Sequence, residues 1–196
     1  MTVTTLDPAT ALIIVDLQNA IMTIPTAHPN TEVVANAAKL ADAFRANGLP
    51  VVLVNAAGGA PGRNELPPRG AFGVGIDDPL GIVPELHQAT TDHLVTKRTW
   101  GAFTGTDLND YLNAQGVTQV VICGIATSAG VESTARHAHE NGYNVTLATD
   151  AMTDRSVEVH DHVITNVFPR IGETGTTGEI LALLPRPSTS SGTGVA

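Results

Sequence analysis

Four short apolar runs, separated by segments of helical periodicity, constrain the fold more than any other feature of this chain. They are Ala11–Asp16 (ALIIVD), Pro50–Asn55 (PVVLVN), Val117–Gly124 (VTQVVICG) and Asn144–Asp150 (NVTLATD). Each is close to continuous rather than alternating, which is the pattern of a strand covered on both faces. His93–Lys97 is a shorter fifth candidate. Between the runs, Thr31–Asn47 carries Val33, Val34, Ala37, Ala38, Leu40 and Phe44 at helical spacing and stops at Gly48. Thr106–Gln115 presents Leu108, Tyr111 and Leu112 behind Thr106 as N-cap and stops at Gly116. Ala129–Asn141 ends at Gly142, and Ser156–Phe168 ends before Pro169. A last helix, Thr177–Leu184, opens with Thr176-Thr177-Gly178-Glu179, a capping-box pattern.

Strands alternating with helices imply βαβ units, hence a parallel sheet, and right-handed crossovers then put helices on both of its faces. The expected fold class is α/β, a three-layer sandwich. A chain of 196 residues suits one such domain, placed here at residues 1–184. The tail from Pro185 to Ala196 (PRPSTSSGTGVA) has the composition of a disordered segment. The Gly/Pro-rich stretch Ala56–Pro84 breaks the alternation; loops of that length serve as lids, binding loops or contacts with a neighbouring subunit.

Charge and cysteine content exclude several functions. Acidic residues outnumber basic ones 19 to 10, for a net charge of −9, which argues against a nucleic-acid partner. No stretch approaches the roughly 18 apolar residues of a membrane span, and Met1–Thr10 has no signal-peptide character. The expectation is a soluble, cytoplasmic protein with no membrane partner. One cysteine, Cys123, permits neither an internal disulfide nor a Cys-rich zinc site.

In an open parallel sheet, ligands bind beyond the carboxyl ends of the strands, near the switch in strand order. Asp16 closes the first run. Lys97, one of only two lysines, closes the short run before Arg98-Thr99-Trp100. The turn Gly124–Gly130 leads from a strand into a helix and is rich in small residues, so a substrate can approach its backbone N–H groups closely. A carboxylate, an ammonium and a helix start therefore converge on one edge, with Trp100 and Phe103 as candidate pocket walls. A lysine beside a carboxylate keeps that group ionised or passes it a proton when substrate arrives. The histidine pairs His137/His139 and His160/His162 lack the i, i+4 spacing of a helical metal site. Arg63 and Arg69 read as solvated loop residues.

The segments IIVDLQN around Asp16, VTKRTWGAFTGTDL around Lys97 and GIATSAGVESTARHAHENGYNVTLATDAMTD from Gly124 resemble the isochorismatase-like hydrolases, over roughly Pro8 to Leu184. The resemblance implies a six-stranded parallel sheet in Rossmann-like order 3-2-1-4-5-6, a non-proline cis peptide at Ile125–Ala126, and a homo-oligomer, dimer or tetramer. It also implies Asp16, Lys97 and Gly130 as catalytic positions and Ala126 as a substrate contact, beside the candidate substrate-binding walls Trp100 and Phe103. The amidase members resemble ATNVCVESTAR, with a nucleophilic cysteine at the helix start. Here that position is Gly130, so a thioester route is not available there. True isochorismatases are similar in having Gly at this place; they cleave a vinyl ether with the aspartate as acid.

By that likeness Asp16 protonates the enol-ether carbon of a small, carboxylate-bearing substrate, water captures the cation, and Lys97 binds the substrate carboxylate or tunes Asp16. The nicotinamidase-like members hold metal after the second strand, where this chain reads Asn55-Ala56-Ala57-Gly58-Gly59, so neither metal nor cofactor is expected. Two other readings remain open: amide or imide C–N hydrolysis by water that Asp16 activates, and a non-catalytic small-molecule-binding or scaffold homologue. Cys123, within an apolar strand, reads as a buried small hydrophobe.

Overall fold

Alternate residues of the first strand enter different cores. The computed structural model describes residues 2–65 and 73–185. Its sheet comprises β1 (Thr10–Val15), β2 (Val51–Ala56), β3 (His93–Lys97), β4 (Gln119–Ile125), β5 (Asn144–Thr153) and β6 (Glu173–Gly175). The order across the sheet is β3-β2-β1-β4-β5-β6, with every neighbouring pair parallel. Leu12 and Ile14 of β1 pack with Leu53, Leu40, Phe44 and Ile180 on one face of the sheet. Ala11, Ile13 and Val15 pack with Val54, Ile122, Leu112 and Phe168 on the other. Both faces of β1 are apolar because both are covered, which is why its sequence does not alternate.

The helices are α1 (Asn19–Met22), α2 (Asn30–Ala46), α3 (Leu108–Ala114), α4 (Glu132–Glu140), α5 (Val157–His162) and α6 (Thr177–Leu183). α2 and α6 cover the first face, and α3 and α4 cover the second. No helix of the described residues is long and apolar enough to cross a membrane.

Several boundaries differ from those read in the sequence. The third helix starts at Leu108, since the Thr106 hydroxyl donates to the Ala102 carbonyl while accepting weakly from the Leu108 N–H at 3.4 Å. The helix expected over residues 129–141 begins instead as a π-turn, Thr127–Val131, before α4. The one expected over 156–168 is α5 followed by a second π-turn and a 3-10 turn that includes Pro169. β5 runs past Asp150 because a register shift opposite Ile122–Gly124 absorbs the polar interruption. Asp150 lies in that irregularity, and its carboxylate accepts the Thr177 N–H (2.6 Å) and hydroxyl (2.8 Å) at the start of α6. The capping box at Thr176 and Glu179 forms as the sequence predicts. The tail expectation concerns residues that, from 186 on, lie outside the described ones, as does Arg69.

Candidate active site

Lys97 reaches across β2 to the end of β1. Its side chain is 1% exposed, and Nζ lies 2.9 Å from Asp16 Oδ2. The same nitrogen donates to the Trp100 carbonyl at 2.6 Å. Asp16 follows β1, with its amide donating to the Val54 carbonyl at 2.8 Å. Its φ of 57° turns the chain out of the strand, a left-handed conformation that Asp tolerates better than most residues. Burial raises the Asp16 carboxyl to about 6, an effect that the Lys97 charge and hydrogen bond only partly offset. Oδ1 is buried without a hydrogen-bond partner among the described residues. One oxygen is thus held by an ammonium and the other is left for a proton or a ligand.

The third component is the turn after β4. The Ile125–Ala126 peptide is cis, and the Ala126 carbonyl accepts the N–H groups of Ala129 and Val131, both at 3.1 Å. The turn brings Gly130 against the ion pair. A Cβ at Gly130 would lie 2.9 Å from Lys97 Nζ, 2.9 Å from Val15 Cγ1 and 3.1 Å from Asp16 Oδ2. Gly124 sets the approach of the two strands that carry the site: its φ is 120°, and a Cβ there would fall 2.0 Å from the Val15 carbonyl oxygen. Asp16, Lys97 and Gly130 therefore meet at the carboxyl edge between β1 and β4, where the strand order reverses direction, and Ala126 opens the turn that carries Gly130.

Trp100 and Phe103 are placed differently. Trp100 offers its carbonyl to Lys97, while its side chain, in a residue 58% exposed, borders an outer groove of about 430 Å³. Thr99, Gly101, Ser133, Arg136 and His137 line the same groove. Phe103 is tilted against Tyr143, with ring centroids 6.1 Å apart. Cys123 is fully buried in the core, and burial, with the nearby Asp150 charge, pushes its thiol far above the usual range. That protonation state is the opposite of what a nucleophile needs.

Other residues around the site were not read as site residues in the sequence. Gln18, fully buried, accepts the Ala56 N–H and donates to the carbonyls of Ala56 and Pro79, pinning the end of β2 and the returning loop beside Asp16. Asn55 donates to the Leu80 carbonyl, leaving Oδ1 buried and unpartnered among the described residues. Asp154, beyond β5, accepts the Ser128 N–H at 2.7 Å. Buried His160 meets the Thr127 hydroxyl at 2.8 Å. Burial and the neighbouring His28 hold His160 below the ordinary histidine range, while Asp161 and Asp154 oppose that shift. An aspartate closing a strand was the only available signal for Asp154; the others act through contacts between distant segments. Among the described residues no group of three or more His, Cys, Asp or Glu is arranged to hold a metal ion.

Comparison with known proteins places the chain in a family. Residues 10–179 match the Isochorismatase domain family. The chain is 44% identical over 177 residues to the isochorismatase family protein YwoC of Bacillus subtilis, covering 88% of this chain and 92% of that one. It is 40% identical over 184 residues to YecD of Escherichia coli, covering 89% and 96%. An isochorismatase family protein of known structure from Burkholderia thailandensis superposes with a TM-score of 0.86 at 40% identity, over 92% of this chain and 97% of that one. The chain belongs to the isochorismatase-like hydrolase family.

Proposed function

We propose that the protein hydrolyses a small, carboxylate-bearing substrate at a vinyl-ether-type C–O bond, with water as nucleophile and Asp16 as acid and base. The observation that carries this reading is the buried Asp16–Lys97 pair packed against a glycine α-carbon. Position 130 offers no thiol or hydroxyl, and the one cysteine is sealed in the core.

Asp16 Oδ1, the oxygen without a hydrogen-bond partner among the described residues, carries the proton to the enol-ether carbon, and the electron pair of the double bond forms the new C–H bond. The resulting oxocarbenium ion takes up water, and the proton that the water loses returns to the Asp16 carboxylate. The hemiketal then collapses to a carbonyl compound and an alcohol, breaking the C–O bond. A carboxyl near 6 suits both halves of this exchange, because a catalytic acid works best with a pKa near the working pH. Lys97 supplies positive charge to Asp16 as it becomes a carboxylate, and to the substrate carboxylate.

Water activation for amide or imide hydrolysis is the second reading, favoured by the same titration near 6, which leaves most of Asp16 ionised at neutral pH. The pH profile separates the two. An acid role gives kcat/KM flat below about pH 6 and falling tenfold per unit above it; a base role gives the mirror image. Turnover of an isochorismate-like enol ether, lost in a folded Asp16→Ala variant, supports the proposal. Full activity in that variant overturns it.

A further inference from the structure

We propose that Thr134 is a positioning residue that locks the Asp16–Lys97 pair to the turn bearing Gly130, through one hydroxyl that bridges two segments of the site. Its catalytic significance rests on the hydrolytic reading above; the bridge itself does not.

Lysine is a flexible stem with three rotatable donors, so its orientation is set by whatever fixes its partners. Two partners of Lys97 are Asp16 Oδ2 at 2.9 Å and the Trp100 carbonyl at 2.6 Å. The first belongs to the sheet edge. The second sits in the segment 98–107, which has no helix or strand and carries the exposed Trp100. That segment is tied down at Ala102, whose N–H donates to Thr134 Oγ1 at 3.1 Å. Thr134 is fully buried in α4, and its hydroxyl donates in turn to the Gly130 carbonyl at 2.6 Å. Gly130 is the residue whose α-carbon packs against both Lys97 and Asp16.

A closed circuit results. It runs from Lys97 to the Trp100 carbonyl, along two residues to the Ala102 amide, through the Thr134 hydroxyl to Gly130, and back to the ion pair. Only a hydroxyl can donate and accept from one small atom in this space. Valine has the same shape and can do neither. Gly101 tightens the circuit, since a Cβ there would lie 2.6 Å from His137 Nδ1 and 3.3 Å from the Ser133 carbonyl. The segment thus passes α4 at close range, directly above the bridge. With the bridge gone, the Trp100 carbonyl is no longer fixed, Lys97 loosens, and Asp16 loses part of the charge that opposes its desolvation.

The test reads Asp16 directly and needs no substrate. The carboxyl ¹³C shift of Asp16 is titrated in the wild type and in Thr134→Val, Thr134→Ala and Thr134→Ser, each checked for a native amide spectrum. The wild-type midpoint is expected near about 6. Valine and alanine should raise it by roughly half a unit to one unit, and serine should restore it. Where enol-ether turnover is measurable, kcat should fall roughly tenfold or more in Thr134→Val with KM little changed. An unmoved midpoint in folded Thr134→Val, or in folded Thr134→Ala where valine does not fold, overturns the proposal. A shifted midpoint alongside full activity in Asp16→Ala would instead overturn the hydrolytic reading and leave the bridge standing.

Discussion

Asp16 shows how one residue couples chemistry to stability. Its carboxyl is raised from 3.8 to about 6 because desolvation outweighs the attraction of Lys97. An acid whose folded pKa exceeds its unfolded value binds more protons when folded, so stability falls as pH rises between the two values. At about 1.4 kcal/mol per unit, Asp16 alone should cost between about 2 and 3 kcal/mol on going from pH 4 to pH 7. Lys97→Met removes the only ion-pair partner found for Asp16 among the described residues and leaves a buried carboxylate uncompensated. The variant should therefore titrate Asp16 above 6, extend the destabilising window to higher pH, and lose about 100-fold or more in turnover. Urea unfolding at pH 5 and pH 8 checks the first part: the variant should lose more stability between these values than the wild type. Equal losses would show that Lys97 does not govern Asp16. Lys97 was legible in the sequence because lysine is scarce here and this one ends a strand. Thr134 and Asn55 were not, since an ordinary threonine or asparagine acquires its role only when another segment folds against it.

At the scale of the element, the strands were legible wherever burial on both faces made them continuously apolar. β6 was not legible from its residues: three residues, Glu-Thr-Gly, carry no hydrophobic period. The extension of β5 was hidden by Asp150, a polar residue that the register shift accommodates and α6 uses. The helix before Gly142 was expected as regular because its periodicity is regular. The π-turn that replaces its first turn is closed by the Val131 N–H on the Ala126 carbonyl, a five-residue span that periodicity does not encode.

Gly124 is the point where element geometry and site geometry meet. It pairs with Val15 across β1 and β4 and admits no side chain. Gly124→Ala should destabilise the protein by about 3 kcal/mol or more, combining a left-handed backbone with overlap onto the β1 carbonyl. Gly116→Ala supplies the control. Its φ is 66°, but a Cβ meets nothing within 4 Å, so the cost should be only the conformational one, about 1 to 2 kcal/mol. Comparable melting temperatures for the two variants would refute the close-approach account.

Across the whole molecule, the site stands at the junction of the most buried strands. All residues of β1 and β4 are buried, whereas β3 alternates and β6 is short and at the edge. Parallel strands at the centre of a sheet have both ladders satisfied and both faces packed, so their amides open only with the whole domain. Segments that hang from the sheet by single hydrogen bonds open locally. Residues 57–65 have neither helix nor strand and are largely exposed. Amide exchange should therefore be slowest in β1 and β4, intermediate in β3 and β6, and fastest over 58–63. The amides of residues 127–131 should group with β4, because Asp154 beyond β5 and His160 of α5 tie that turn to other segments while Thr134 of α4 holds the Gly130 carbonyl. A water-based reaction with no covalent intermediate depends on groups already in place, and a mobile turn would have to be ordered by substrate at a cost in rate. Exchange of the 127–131 amides as fast as those of 58–63 would mean that the site is assembled on binding rather than built into the fold.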